Sequence, residues 1–165
     1  MMHFLRDWAP TLISAGSVTV LAFAGMMLTK LGSWYYGLKK PSWQPPDWLF
    51  GPAWTTIFIL EAAAAVIAWD SIKVPGQDVC FISTFIVNGV FNMLWSLLFF
   101  TLRRPDWALA EVGFLWASVL AMIIVLAEFT HHAWLLIVPY LLWVSFASFL
   151  NYTIVRLNAP FGVPA

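Results

Sequence analysis

Five apolar runs, each about the length of a membrane crossing, constrain this chain more than any other feature. They cover residues 8–29, 50–69, 79–102, 107–129 and 133–157. A helix rises about 1.5 Å per residue, so about 20 apolar residues span a hydrocarbon core of about 30 Å. Charges or helix breakers bound every run: Arg6 and Asp7, Lys30, Asp70, Asp78, the Arg103-Arg104-Pro105-Asp106 stretch, and His131-His132. Closed-barrel strands would instead show segments of about ten alternating residues, and none is present. Of 165 residues, 62% are apolar and 10% charged, too little polar surface to face water all round. The expected fold is therefore all-α, an integral membrane bundle of five helices forming one domain over residues 1–165. The first run begins at Trp8 and reads as a retained helix, being too long for the core of a signal peptide.

Charge sets the orientation. Lys30, Lys39, Lys40, Arg103, Arg104 and Arg156 fall on one side of the alternating spans, against Arg6 and Lys73 on the other. The positive-inside rule puts the six in the cytoplasm with the C-terminus and the long first loop. Eight basic and eight acidic residues cancel, which gives no field to recruit nucleic acid. The lone Cys80 excludes an internal disulfide and a cysteine-based metal cluster, and His131 and His132 are adjacent at a span boundary. No metal site is expected. An odd number of spans also argues against a transporter built from two matched halves.

Polar residues inside the spans need a reason. In the third span Asn88, Asn92, Trp95 and Phe99 share one helical face; in the fifth, Tyr140, Trp143, Ala147 and Asn151 do; in the second, Trp54, Phe58 and Glu61 do. For Asn88 and Asn151 the expectation is polar glue between helices. For Asn92, Trp95, Trp54 and Trp143 it is an apolar pocket with a few polar anchors. Glu61 lies near mid-span, where a proton-relay role lacks basic or histidine partners; Glu111 lies one turn into its helix and Glu128 near a span end. The first loop reads WYYGLKKPSWQPPDWLFGPAW over residues 34–54. Its prolines exclude regular helix, and its rings are too many for free solvation, so it is expected to fold back as a lid over the cytoplasmic end.

That loop, FNMLWSLLFF at 91–100 and PYLLWVSFASFLNYTIVRLN at 139–158 together resemble the translocator protein family, also called the tryptophan-rich sensory proteins or peripheral benzodiazepine receptors. The resemblance covers nearly the whole chain. It implies a five-helix bundle, usually a homodimer, that binds porphyrins such as protoporphyrin IX and synthetic isoquinoline carboxamides, and in animal members cholesterol. It implies a bacterial cell membrane or the mitochondrial outer membrane, and no required cofactor. Carried onto matching positions, it implies ligand contacts at Trp34, Tyr35, Pro45, Trp54, Phe58, Asn92, Trp95, Trp107, Ala110, Trp143 and Ala147. Trp54 matches a tryptophan that some bacterial members need for light-dependent porphyrin breakdown, and is the candidate catalytic residue. Glu61 and Gly51 depart from the family pattern. Leu150, Tyr152 and Arg156 fit a weak sterol motif, which in a membrane without sterols is an interfacial Tyr and a snorkelling Arg.

Three functions follow as expectations: a porphyrin-binding receptor or sensor that influences tetrapyrrole level or transport, a light-dependent porphyrin-degrading protein, and a sterol or lipid transporter. No acid–base pair, nucleophile constellation or metal-ligand spacing supports thermal catalysis, so any chemistry would come from the ligand and light. The orientation is directly testable. A cysteine placed at Gly37 in a Cys80→Ser background should resist an impermeant external thiol reagent in intact cells, whereas ready labelling would put the loop outside.

Overall fold

A computed structural model describes Gly16, Gly25 and residues 27–161. The described residues are mostly helical and contain no strand. Four helices are long and apolar enough to cross a membrane, spanning Asp47–Ser71, Gln77–Thr101, Pro105–Glu128 and Ala133–Asn158. Their limits lie within about three residues of the hydropathy runs, because the same charges and breakers that end a run also end a helix. The first expected span lies outside the described residues except for Gly16, Gly25 and its last three positions, of which Met27 and Leu28 are helical.

The elements are α1 (Ser33–Gly37), α2 (Phe50–Ser71), α3 (Gln77–Ser96), α4 (Pro105–Phe129) and α5 (Val138–Asn158). A 3-10 turn at Asp47–Leu49 leads into α2, and another at Ala133–Ile137 leads into α5. Between α2 and α3 the chain turns at Gly76, whose φ of 92° is open to glycine and strained for other residues. The Gln77 side chain pins this turn by accepting hydrogen bonds from the backbone N–H groups of Lys73 and Val74, each at 3.1 Å. The sequence predicts regular helix through Leu102, but Leu97–Thr101 widens into a π-turn. Arg103 then takes a left-handed φ of 54°, and the Arg104 N–H closes back on the Leu98 carbonyl at 2.9 Å. This places an αL residue between the last helical turn and Pro105, which opens α4 at a position where its missing N–H costs nothing.

Neighbouring helices run antiparallel, as the short connections require. Phe91 stacks on Phe114 while Asn88 reaches Ser118, so α3 and α4 run in opposite senses. The Trp116 indole N–H donates to the Ser145 hydroxyl at 2.8 Å, tying α4 to α5. The core combines Ala64, Ala65 and Ala68 of α2 with Val112, Leu115, Val119, Met122 and Leu126 of α4 and with Ile137, Tyr140 and Val144. Small residues on α2 let backbones approach closely, which matters where lipid supplies no hydrophobic drive between helices. Outward faces carry Ile59, Ile67, Ile82, Ile86, Val90, Phe114, Ile124 and Leu142, the surface lipid would cover.

Inside this apolar frame lies one layer of paired polar side chains. Asn88 donates to the Ser118 hydroxyl at 2.9 Å, and Ser118 passes its own hydrogen to the Leu115 carbonyl at 2.7 Å. Asn92 donates to the Tyr140 hydroxyl at 2.8 Å, which in turn donates to the Asn88 carboxamide oxygen at 3.3 Å. Asn151, with its amide oriented as its neighbours require, donates to the Pro105 carbonyl and accepts from the Leu109 N–H, both at 3.1 Å. It thereby satisfies the first turn of α4. Asn88 and Asn151 are the interhelical glue expected of them. Replacing Asn88 with Ala should strip partners from both Ser118 and Tyr140, at a cost of about 1–3 kcal/mol in unfolding from mixed micelles. Ser83→Ala, which loses only a bond to its own helix turn, should be close to neutral in the same measurement.

Candidate ligand-binding site

Helix periodicity and the first loop bring the aromatic residues together at the end of the bundle where α2 begins and α5 ends. Trp54 and Phe58, one turn apart on α2, have ring centroids 5.5 Å apart. The Trp54 indole meets Tyr140 edge-on at 6.0 Å and Trp143 at 6.4 Å. Trp143 continues the array to Phe50 and Phe146, each at 5.6 Å. On α3, Trp95 stacks on Phe99 at 5.2 Å, and the π-turn sets Phe99 and Phe100 side by side at 4.8 Å. Offset and edge-on pairs of this kind are favoured by the ring quadrupoles. π-turns inside α-helices recur at functional sites.

The first loop packs against these helices. Trp34 meets Phe99 edge-on at 6.3 Å and Tyr35 meets Phe100 at 5.8 Å. Trp43 stacks on Phe149 at 5.2 Å, and Asn158 at the end of α5 both donates to the Lys39 carbonyl and accepts from its N–H, each at 2.8 Å. The Tyr35 hydroxyl donates to Asp47 at 2.9 Å, and the Gln44 amide donates to the same carboxylate at 3.3 Å. Burial and the hydrogen bond to Asp47 push the Tyr35 phenol well above its ordinary range, so it remains a donor at any physiological pH. The Lys40 ammonium lies 3.4 Å from the centre of the Tyr35 ring, and burial there holds its pKa below the usual lysine value. Tyr35, Gln44, Phe50, Trp95, Phe99, Phe100, Ala147, Leu150, Asn151 and Ile154 line a partly open cavity of about 30 Å³.

The expected ligand residues thus divide. Trp34, Tyr35, Trp54, Phe58, Asn92, Trp95, Trp143 and Ala147 line or adjoin the aromatic cluster, and Pro45 lies in the loop that packs on it. Trp107 and Ala110 are exposed instead. The Trp107 ring carries the Arg104 guanidinium at 4.2 Å, an interfacial arrangement, while Arg104 also pairs with Asp106. The face α4 turns inward is Ala108, Glu111, Val112 and Leu115. Leu150 is buried while Tyr152 and Arg156 face outward, so the sterol-motif residues do not share a face. Gln44, Asp47, Phe100 and Phe149 had not been singled out in the sequence. The ring spacing of Trp143, Phe146 and Phe149 was the available signal for the last of these.

Comparison with known proteins decides the family. The family model described as TspO/MBR matches residues 12–157. The chain belongs to the TspO/MBR family. Similar proteins include a tryptophan-rich protein TspO of Chlorobaculum tepidum, 39% identical over 87% of this chain and 92% of that one. A tryptophan-rich sensory protein of Cereibacter sphaeroides is 36% identical over 92% and 93%. The human translocator protein is 30% identical over 76% and 75%. With four membrane-length helices among the described residues, this TspO/MBR member is an integral membrane protein.

The loop contacts lead to a direct test. Tyr35→Phe keeps the ring against Phe100 but removes the bond to Asp47, and should cost about 1–2 kcal/mol of local stability. Amide hydrogen exchange over residues 41–49 should speed up accordingly. Unchanged exchange would show that Trp43 and Asn158 hold the loop without it.

Proposed function

We propose that this protein is a membrane receptor or sensor that binds porphyrins of the protoporphyrin IX type in the aromatic cluster and influences their level or transport. The single observation carrying this reading is the continuous ring array from Phe50 through Trp143, Trp54 and Tyr140, joined to the Asn92 carboxamide. Flat rings with a few buried polar groups suit a flat macrocycle, and relatives named sensory and translocator proteins agree with such a role. The cavity of about 30 Å³ is far smaller than a macrocycle, so binding one needs the rings to part. In this reading the proline-rich loop is the lid, hinged on the Asn158 and Trp43 contacts. The working form is a homodimer in the bacterial cell membrane or mitochondrial outer membrane, with Ser83 and Val87 left exposed on α3 for a second copy. No resident cofactor is needed. Protoporphyrin titration of purified protein should quench tryptophan fluorescence to saturation at fixed stoichiometry; unsaturable quenching would refute the reading.

A second reading, light-dependent porphyrin breakdown, is favoured by the placement of Trp54. Its indole lies between two other oxidisable rings, Tyr140 and Trp143, so the hole left when it gives an electron to an excited porphyrin, which passes that electron on to dioxygen as the oxidant of the breakdown, can be shared with either neighbour. Losing one stacking partner costs about 1 kcal/mol, about a fivefold weakening, given that about 1.4 kcal/mol is tenfold. Phenylalanine is far harder to oxidise than indole. Trp54→Phe should therefore still bind protoporphyrin, about fivefold more weakly, yet lose most light-dependent loss of porphyrin absorbance, while Trp143→Phe loses less. Equal breakdown rates in wild type and Trp54→Phe would leave binding as the residue's role.

A further inference from the structure

Hydrocarbon makes an unpaired polar atom expensive, so one that stays unpaired inside the bundle needs a reason. Glu111 is 6% exposed on the inward face of α4. Both its carboxyl oxygens are buried and accept no hydrogen bond; among the described residues the side-chain oxygen of Gln44, in the first loop, shares that state. The buried carboxamides are already committed, Asn88 to Ser118, Asn92 to Tyr140 and Asn151 to the first turn of α4. Helix register places the free carboxyl. Asn88 of α3 meets Ser118 of α4 at 2.9 Å, and about one turn on Phe91 stacks on Phe114. Seven residues make two helical turns, about 10.5 Å, and return to the same face. Counting seven onward from Asn88, within regular helix, and seven back from Ser118 reaches Trp95 and Glu111, which therefore share the α3–α4 seam at one level. Packing agrees. Trp95 lies against two buried clusters, one holding Ala108 and the other Val112 and Leu115, the α4 residues on either side of Glu111. On α5, the bonds of Asn151 to Leu109 and of Ser145 to Trp116 bracket the same level, and Trp95, Ala147 and Asn151 line the cavity of about 30 Å³.

We propose that Glu111 is the hydrogen-bonding anchor of the ring-cluster site, its carboxyl accepting an N–H or O–H of a ligand that lies against Trp95. The inference rests on the ring cluster being the ligand site, and adds the group that orients a ligand within it. Stacked rings hold a flat macrocycle but leave it free to turn in its own plane, and one directional acceptor fixes that rotation. A carboxyl offers an acceptor oxygen whether or not it carries a proton. Two donors of a protoporphyrin-type ligand have the required chemistry, the propionic acid O–H at the rim and the pyrrole N–H at the centre. Until a ligand arrives the unpaired acceptor costs stability, as expected of a group kept for binding rather than for the fold.

Fluorescence titration of protein in lipid nanodiscs, with protoporphyrin as the probe, tests the anchor. Glu111→Met keeps the length of the side chain and loses the acceptor, so it should bind about tenfold more weakly, the worth of one buried hydrogen bond. Glu111→Gln keeps an acceptor oxygen and should stay close to wild type. Protoporphyrin dimethyl ester has the central N–H groups and no O–H. An effect of Glu111→Met that vanishes with the ester assigns the propionic O–H, and one that persists assigns the pyrrole N–H. Without ligand, Glu111→Met should melt no lower than wild type, because it removes an unpaired buried carboxyl. Wild-type affinity in Glu111→Met overturns the anchor, and so does an equal loss in Glu111→Gln, which marks a packing effect. A lower melting temperature of ligand-free Glu111→Met also overturns it, since the carboxyl then serves the fold. If wild type itself fails to bind saturably, the ring-cluster reading falls and the anchor falls with it.

Discussion

The Tyr140 hydroxyl is the point on which the interior of this bundle depends. Hydrocarbon offers no water to satisfy a stray donor or acceptor, so each buried polar atom must find its partner in the protein. Tyr140 accepts from Asn92 and donates to Asn88, and Asn88 passes the chain to Ser118 and the α4 backbone. Three helices are registered by that one path. Lipid-facing Leu, Ile and Val could be slid by a turn with little penalty, whereas this layer admits a single register.

The same residue joins structure to the site. Its ring closes one edge of the cluster around Trp54, and its hydroxyl is held by Asn92 and Asn88. A change in how the rings pack therefore reaches the polar layer without a separate relay. The first loop acts at the other edge. It is held by rings on rings, by the Tyr35–Asp47 bond and by the Asn158 clamp, each modest and near the surface. Such contacts open at smaller cost than the interlocked layer beneath.

Much of the fold was legible in advance because the solvent imposes it. Run length gave the number of crossings among the described residues, and charge and proline marked their ends to within about three positions. The π-turn at Leu97–Thr101 was not legible: nothing in LLFFT departs from helical composition, and the Phe99 and Phe100 rings of this turn meet the loop rings Trp34 and Tyr35 only in the folded bundle. The facing of α4 was not legible either. Trp107 and Ala110 look as able to line a pocket as Ala108 and Glu111, and their neighbours on α3 and α5 select the second pair.

The sequence by itself determined the membrane environment, the four crossings among the described residues, the family and the aromatic character of the ring cluster, because each follows from local composition or from motifs read in order. Only the tertiary structure decided which polar groups are spent on one another and which stay unpaired. Asn92 and Asn88 proved to share Tyr140, Asn151 to complete the α4 backbone, and Glu111 to keep both oxygens without a partner among the described residues. Hydrogen bonds last only within about 3 Å and a narrow range of angles, so their pairing is a property of helix register and rotation, and no spacing along the chain fixes it.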